Sequence, residues 1–174
     1  MSSLIDQARL IAKHNHRNQS YGIYPYFYHI EMVAHIGIRE GFSDEWIAAC
    51  YLHDIVEDTP VTLGQVKKVF GDAVSKIVYD VTDPSDLFNR KDKKQSVYEK
   101  IIKSKEKKQY GSLAVKLADR LANVSHSKIS GDSKYSMYKK EHPKFKDSLF
   151  TPKEFSTAPE CIYRLWNVLE INLR

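Results

Sequence analysis

The sequence predicts an all-α protein, a compact orthogonal bundle of about eight or nine helices, and three observations predict it. Apolar residues recur at helical spacing through most of the chain. Capping residues precede these stripes, and glycines or prolines stop them. One segment, Trp46-Ile47-Ala48-Ala49-Cys50-Tyr51-Leu52, is apolar on every side, as a buried helix must be. The 174 residues suffice for one domain with a real core. No run of about 18 apolar residues marks a membrane span, and the start lacks the regions of a signal peptide. Cys50 and Cys161 lie far apart in apolar helical contexts, which favours buried free thiols and a reducing cytoplasm. The formal charge of +5 favours anionic ligands, nucleotides or nucleic acid.

In chain order, residues 3–18 read as a first helix with Leu4, Ala8, Ile11 and Ala12 on its apolar stripe. His14 and His16 end it on different sides and are expected at the surface. Ser20 to Pro25 is a loop of turn formers and aromatics. A second helix runs from Pro25 to about Glu40, stopped by Gly41. His29 lies on it, and His35, about 240° further round, does not share its side. Ser43 caps the apolar helix. Thr62 with Gln65 makes a capping box for a helix to Phe70. Gly71 breaks that helix, and Asp72–Val81 forms another on Val74, Ile77, Val78 and Val81.

Arg90 to Lys108 holds nine Lys or Arg against three acidic residues, +6 over 19 residues. Val97, Tyr98, Ile101 and Ile102 give it an apolar side, so it reads as a helix with a solvated basic face or a funnel for phosphates. Leu113, Leu117, Leu121 and Val124 form the stripe of a further helix, with Lys116, Asp119, Asn123 and His126 on its other side. Residues 128–158 read as irregular, apart from a short helix over Lys134–Glu141 with Tyr135 and Tyr138 on one side. A last helix spans 159–172 on Ile162, Leu165, Trp166 and Leu169, opened by Pro159. The expected organisation is therefore one domain over 1–174 with its core in about 3–127.

Chemistry concentrates after the apolar helix. His53, Asp54, Glu57 and Asp58 follow within six residues. If the helix continues, they fall at about 0°, 100°, 40° and 140°, on one side. Burying carboxylates costs several kcal/mol each unless a cation or hydrogen bonds compensate. A metal ion is the simplest compensation, with His53 and Asp54 able to ligate it.

This His-Asp-x-x-Glu-Asp-Thr stretch resembles the HD-superfamily phosphohydrolases. In particular it looks like the (p)ppGpp hydrolase domain of RelA/SpoT homologues and the single-domain small alarmone hydrolases. Pro25-Tyr26-x-x-His29 resembles the family's first ligand motif, and Lys116-Leu-Ala-Asp119-Arg-Leu-x-Asn123 its last. The resemblance implies an HD-type bundle and a metal site of His29, His53, Asp54 and Asp119. It implies Glu57 and Asp58 as catalytic groups, and Asn123 as a contact to the nucleotide. Lys116, on the same helix side as Asp119, is taken with the substrate contacts. Similarity to the metazoan-type hydrolases adds Arg90 and Lys94 as phosphate contacts. Phe70-Gly71 and Val81-Thr82 resemble a further pattern that makes Thr82 a contact, against its plain reading as a turn hydroxyl before Pro84. Tyr163 with Trp166 resembles a pair in which the tyrosine touches substrate, although aromatics so spaced are more often core.

Two imidazoles and two carboxylates suit Mn²⁺, Fe²⁺ or Zn²⁺, and the resemblance implies one Mn²⁺. It also implies removal of the 3′-pyrophosphate of guanosine 3′,5′-bis(diphosphate), ppGpp, to give GDP and pyrophosphate. One departure bears on the substrate. The family carries Gln-x-Arg-Lys-x-Gly before Pro-Tyr, whereas Gln19-Ser20-Tyr21-Gly22-Ile23-Tyr24 is shorter and has no Arg or Lys. Reaction type is thus better determined than substrate. Three alternatives stand beside it. One is the same chemistry on a dNTP, nucleoside monophosphate, NADPH or cyclic nucleotide. Another is a non-enzymatic alarmone binder, which need not keep Glu57 and Asp58. The third is nucleic-acid binding through Arg90–Lys108.

Overall fold

The structure, a computed structural model, describes residues 3–150 and 158–174. Nine helices and one small hairpin are formed among the described residues: α1 (Leu4–Asn15), β1 (Ser20–Tyr21), β2 (Tyr24–Pro25), α2 (Tyr26–Arg39), α3 (Asp44–Leu52), α4 (Ile55–Asp58), α5 (Leu63–Val81), α6 (Arg90–Glu106), α7 (Gly111–Ser130), α8 (Lys134–Leu149) and α9 (Glu160–Leu173). No helix among the described residues is long and apolar enough to cross a membrane.

The all-α expectation holds, with caps as the local cause. Ser3 and Asp6 form a capping box at α1, Ser43 accepts from the Trp46 N–H at α3, and Thr62 with Gln65 caps α5. Each cap satisfies N–H groups that have no partner inside the helix. Gly71 has φ 81° and ψ −179°, which interrupts α5 at the expected break. Two details differ from the sequence reading. The loop after α1 closes into a two-stranded antiparallel hairpin, with Tyr21 opposite Tyr24. The helix expected over Lys134–Glu141 continues to Leu149, because His142, Phe145 and Leu149 supply a buried side beyond Pro143. Residues 151–157 of the segment expected to be irregular lie outside the described residues.

The core is organised around α7, which packs against α2, α3, α5, α6, α8 and α9. Leu113, Leu117, Leu121 and Val124 are buried on it, as their spacing requires. Each such side chain contributes roughly 1.5–3 kcal/mol relative to exposure. α3 is buried from Ile47 to Leu52 and crosses α2 closely at Gly37. A Cβ there would stand 2.8 Å from Phe42 Cδ2 and 3.3 Å from Cys50 Sγ. That close approach brings the elements carrying His29 and His53 together. Both cysteines are free and buried.

Candidate metal centre

The site forms where α2, the α3–α4 junction and α7 meet. His29, on the first turn of α2, is buried with its Nε2 3.3 Å from Asp119 Oδ1. His53 caps the C-terminus of α3, also buried, with Nε2 3.9 Å from Asp119 Oδ1 and 2.9 Å from Asp54 Oδ2. The donor atoms of His29, His53 and Asp119 all lie within 4.8 Å of one another. Donors sharing an ion at about 2.0–2.2 Å must sit roughly 3–4 Å apart, so the spacing fits one ion.

The expected single helix through His53–Asp58 does not form. α3 ends at Leu52, Asp54 has φ −101° and ψ 1°, and α4 begins at Ile55. The turn replaces the even 100° fan assumed from sequence. It lets Asp54 Oδ2 accept from the Tyr26 hydroxyl at 2.5 Å while facing His53. Glu57 lines the cleft, and its Oε2 accepts from the Asp83 N–H at 3.0 Å. Asp58 does not line it. The paired acids therefore occupy different surroundings.

The electrostatics ask for a cation. His53 Nδ1 lies 2.8 Å from the Cys50 carbonyl and must donate to it, which turns Nε2 toward Asp54 and Asp119. His29 Nδ1 is buried without a hydrogen-bond partner, and His53 Nε2 has only the Asp54 and Asp119 carboxylates beside it. Burial lowers the His53 pKa, but the Asp54 and Asp119 carboxylates outweigh it and hold it at about 9. Burial likewise opposes ionisation of Asp54 and Asp119. Yet His53 keeps the first, and Lys116 with His29 the second, below the usual carboxylate range. A buried imidazole nitrogen between two ionised carboxylates, where a proton now stands, is a donor set that a divalent ion can neutralise in the proton's place. Glu57 and Asp58 both shift upward, first through burial and then through neighbouring carboxylates, with Asp83 foremost for Glu57 and Asp54 for Asp58.

The cleft above these groups has a volume of about 310 Å³. Arg90, Lys94, Lys116 and Asn123 line it, together with Tyr21, Tyr138 and Arg120, to which sequence gave no role. Lys116 bonds Asp119 Oδ2 at 3.2 Å. Lys94 and Arg120 bond Glu141 of α8 at 2.6 and 3.1 Å, and Arg90 lies 3.6 Å from it. Asn123 is spoken for on both sides, by Asp119 and by the Tyr21 hydroxyl. Thr82 and Tyr163 do not line the cleft. The Thr82 hydroxyl bonds the Val78 carbonyl of its own helix, and Tyr163 sits on α9. His16, expected at the surface, is buried and stacked on Tyr26 with ring centroids 5.2 Å apart. His126 touches Tyr21 rather than the ligands. Only Tyr26 had a local signal, the Pro-Tyr-x-x-His motif. Tyr21 and Glu141 meet the site from remote segments with none.

Comparison with known proteins bears on the family and the fold. The HD domain family model matches residues 8–144. Over 119 residues the chain is 40% identical to guanosine-3′,5′-bis(diphosphate) 3′-pyrophosphohydrolase MESH1 of Danio rerio, covering 65% of this chain and 63% of that protein. It is 38% identical over 124 residues to the Mus musculus enzyme of the same name, covering 68% and 66%. The matched region thus spans a little under two thirds of these relatives. Among solved structures, a metazoan ortholog of SpoT described as hydrolyzing ppGpp shares the fold, with a TM-score of 0.72 at 23% identity over 100% of this chain and 98% of that one. The lmo0812 protein of Listeria monocytogenes gives a TM-score of 0.65 at 26% identity, over 86% of this chain and 98% of that one.

Proposed function

The chain belongs to the HD-domain family, and from that premise we propose that it is a metal-dependent phosphohydrolase that removes the 3′-pyrophosphate of ppGpp, giving GDP and pyrophosphate. The observation that carries the reading is the convergence of the His29, His53 and Asp119 donors beneath a cleft bordered by Arg90, Lys94 and Lys116. The names of the animal relatives support the substrate.

His29, His53, Asp54 and Asp119 would hold the divalent ion, Mn²⁺ in this proposal. When bound, the ion supplies Lewis acidity, making a water more acidic and offsetting charge on the phosphoryl oxygens. Glu57 is the general base: it lines the cleft, is held by the Asp83 N–H, and is made more basic by burial. It takes a proton from the attacking water as the new P–O bond forms. The bond from phosphorus to the 3′-oxygen breaks, that oxygen takes up a proton from solvent as the alcohol of GDP, and Glu57 returns its proton to solvent. Lys116, Arg90 and Lys94 offset the negative charge of the phosphates. Asp58 lies outside the cleft, and the Tyr26 hydroxyl orients Asp54.

A second reading, the same chemistry on another nucleotide, is favoured by one observation. The hydroxyl of Tyr21 occupies the Asn123 oxygen on the segment where the alarmone hydrolases carry Arg-Lys. The test is turnover by metal-stripped protein reloaded with Mn²⁺, on ppGpp beside NADPH, dNTPs and nucleoside monophosphates. Release of GDP and pyrophosphate that Asp54→Ala abolishes supports the primary reading. Inert ppGpp beside another substrate that is cleaved moves the assignment to the second.

A further inference from the structure

The hairpin between α1 and α2 carries Tyr21 into the metal centre, 102 positions before Asn123 in the chain. Its ring stacks on the His29 imidazole, centroids 4.9 Å apart and planes 25° apart. Its hydroxyl lies 2.9 Å from Asn123 Oδ1. Asn123 Nδ2 is 2.6 Å from Asp119 Oδ1 and 3.1 Å from the Asp119 carbonyl. The direction of these bonds follows from chemistry. An ionised carboxylate only accepts, so the Asn123 edge facing it must be the amide NH₂. The amide oxygen then faces Tyr21, and the phenol must donate. Both amide protons of Asn123 are spent on Asp119, and its oxygen holds Tyr21. The other Asp119 oxygen is bonded by Lys116.

We propose that Tyr21 is a positioning residue of the metal centre: its hydroxyl, through Asn123, fixes the orientation of the Asp119 carboxylate, and Asn123 serves that ligand rather than the substrate. The proposal rests on the metal reading above. Groups that orient a metal ligand through hydrogen bonds typically change metal affinity by about 10–100-fold when removed. Tyr21 stands one residue further out than Asn123, so the lower end applies. Tyr21→Phe keeps the ring on His29 and deletes only the donor, which separates positioning from packing.

The experiment is calorimetric titration of Mn²⁺ into the metal-stripped full chain. The proteins compared are the wild type, Tyr21→Phe, Asn123→Ala, the double variant and Asp119→Ala, each checked by its apo melting curve. The expected result is about tenfold weaker Mn²⁺ binding in Tyr21→Phe, with the double variant no weaker than Asn123→Ala alone, because both changes cut one relay. Wild-type Mn²⁺ affinity in Tyr21→Phe, with loss in Asp119→Ala, overturns the relay and leaves the metal centre standing. Additive losses in the double variant also overturn it. Wild-type affinity in Asp119→Ala overturns the metal reading and the relay with it.

Discussion

Glu57→Gln separates the chemistry from the metal site. The side chain lines the cleft without belonging to the donor cluster of His29, His53 and Asp119. Its Oε2 accepts the Asp83 N–H at 3.0 Å, and the amide oxygen of glutamine can keep that bond. Glutamine has nearly the same shape, so packing and the Asp83 turn are preserved. What disappears is the capacity to accept a proton from water. A positioned general base contributes about 10²–10⁴ in rate, which at ~1.36 kcal/mol per decade is about 3–5 kcal/mol of the barrier. The expectation is a fall in kcat of that size, a KM within about threefold of wild type, and unchanged Mn²⁺ binding. Steady-state release of pyrophosphate at saturating Mn²⁺, with a parallel calorimetric titration, measures all three. Turnover within about tenfold of wild type would refute Glu57 as base, since it falls short of the smallest general-base effect. A lost Mn²⁺ site would instead make Glu57 a ligand.

Two further expectations concern the frame around the site. Gly111→Ala places a Cβ 2.6 Å from Ile77 Cδ1 and 2.8 Å from Trp46 Nε1 at the start of α7. Overpacking of this kind costs about 1–3 kcal/mol, and in a chain of this size each kcal/mol lowers Tm by about 2–4 °C. Calorimetry should show that fall, with kcat unchanged at a temperature well below the melt. Glu141 supports acid-dependent stability. Burial raises its pKa, but hydrogen bonds from Lys94 and Arg120 outweigh burial and hold it below the ordinary glutamate value. A carboxyl with a depressed folded-state pKa contributes stability fully above its unfolded pKa and loses it as pH falls through the folded pKa. Wild-type Tm should therefore fall more steeply below about pH 4.3 than that of Glu141→Gln, and parallel slopes in that window would refute the pairing.

Much of the site was legible because its signals are local. An apolar helix followed at once by His53 and Asp54 sets a buried imidazole beside a carboxylate, whatever the rest of the chain does. Lys116, Asp119 and Asn123 share one side of α7 through helical spacing alone, and the structure keeps them there. Caps at Ser43 and Thr62 and the break at Gly71 are equally local, since each depends on groups within a few residues. The errors also have local causes. Extending one helix through Asp58 ignored the turn at Asp54, which Tyr26 and His53 hold from outside the segment. His16 reads as a surface histidine at a helix end because nothing in its own helix announces the Tyr26 ring stacked on it.

By itself, then, the sequence determined the helical class, the order of the motifs and the identity of the groups able to bind an ion. These follow from periodicity, capping and donor chemistry, which act over a few bonds. Only the tertiary structure decided that Tyr21 meets Asn123, that Glu141 of α8 gathers Arg90, Lys94 and Arg120, that Glu57 enters the cleft, and that Asp58, Thr82 and Tyr163 stay outside it. The physical reason is that such contacts join segments tens of residues apart, or more than a hundred for Tyr21. Their geometry is set by how α2, α6 and α8 pack on α7 and the hairpin on α2, and packing between remote segments leaves no periodic trace in either one.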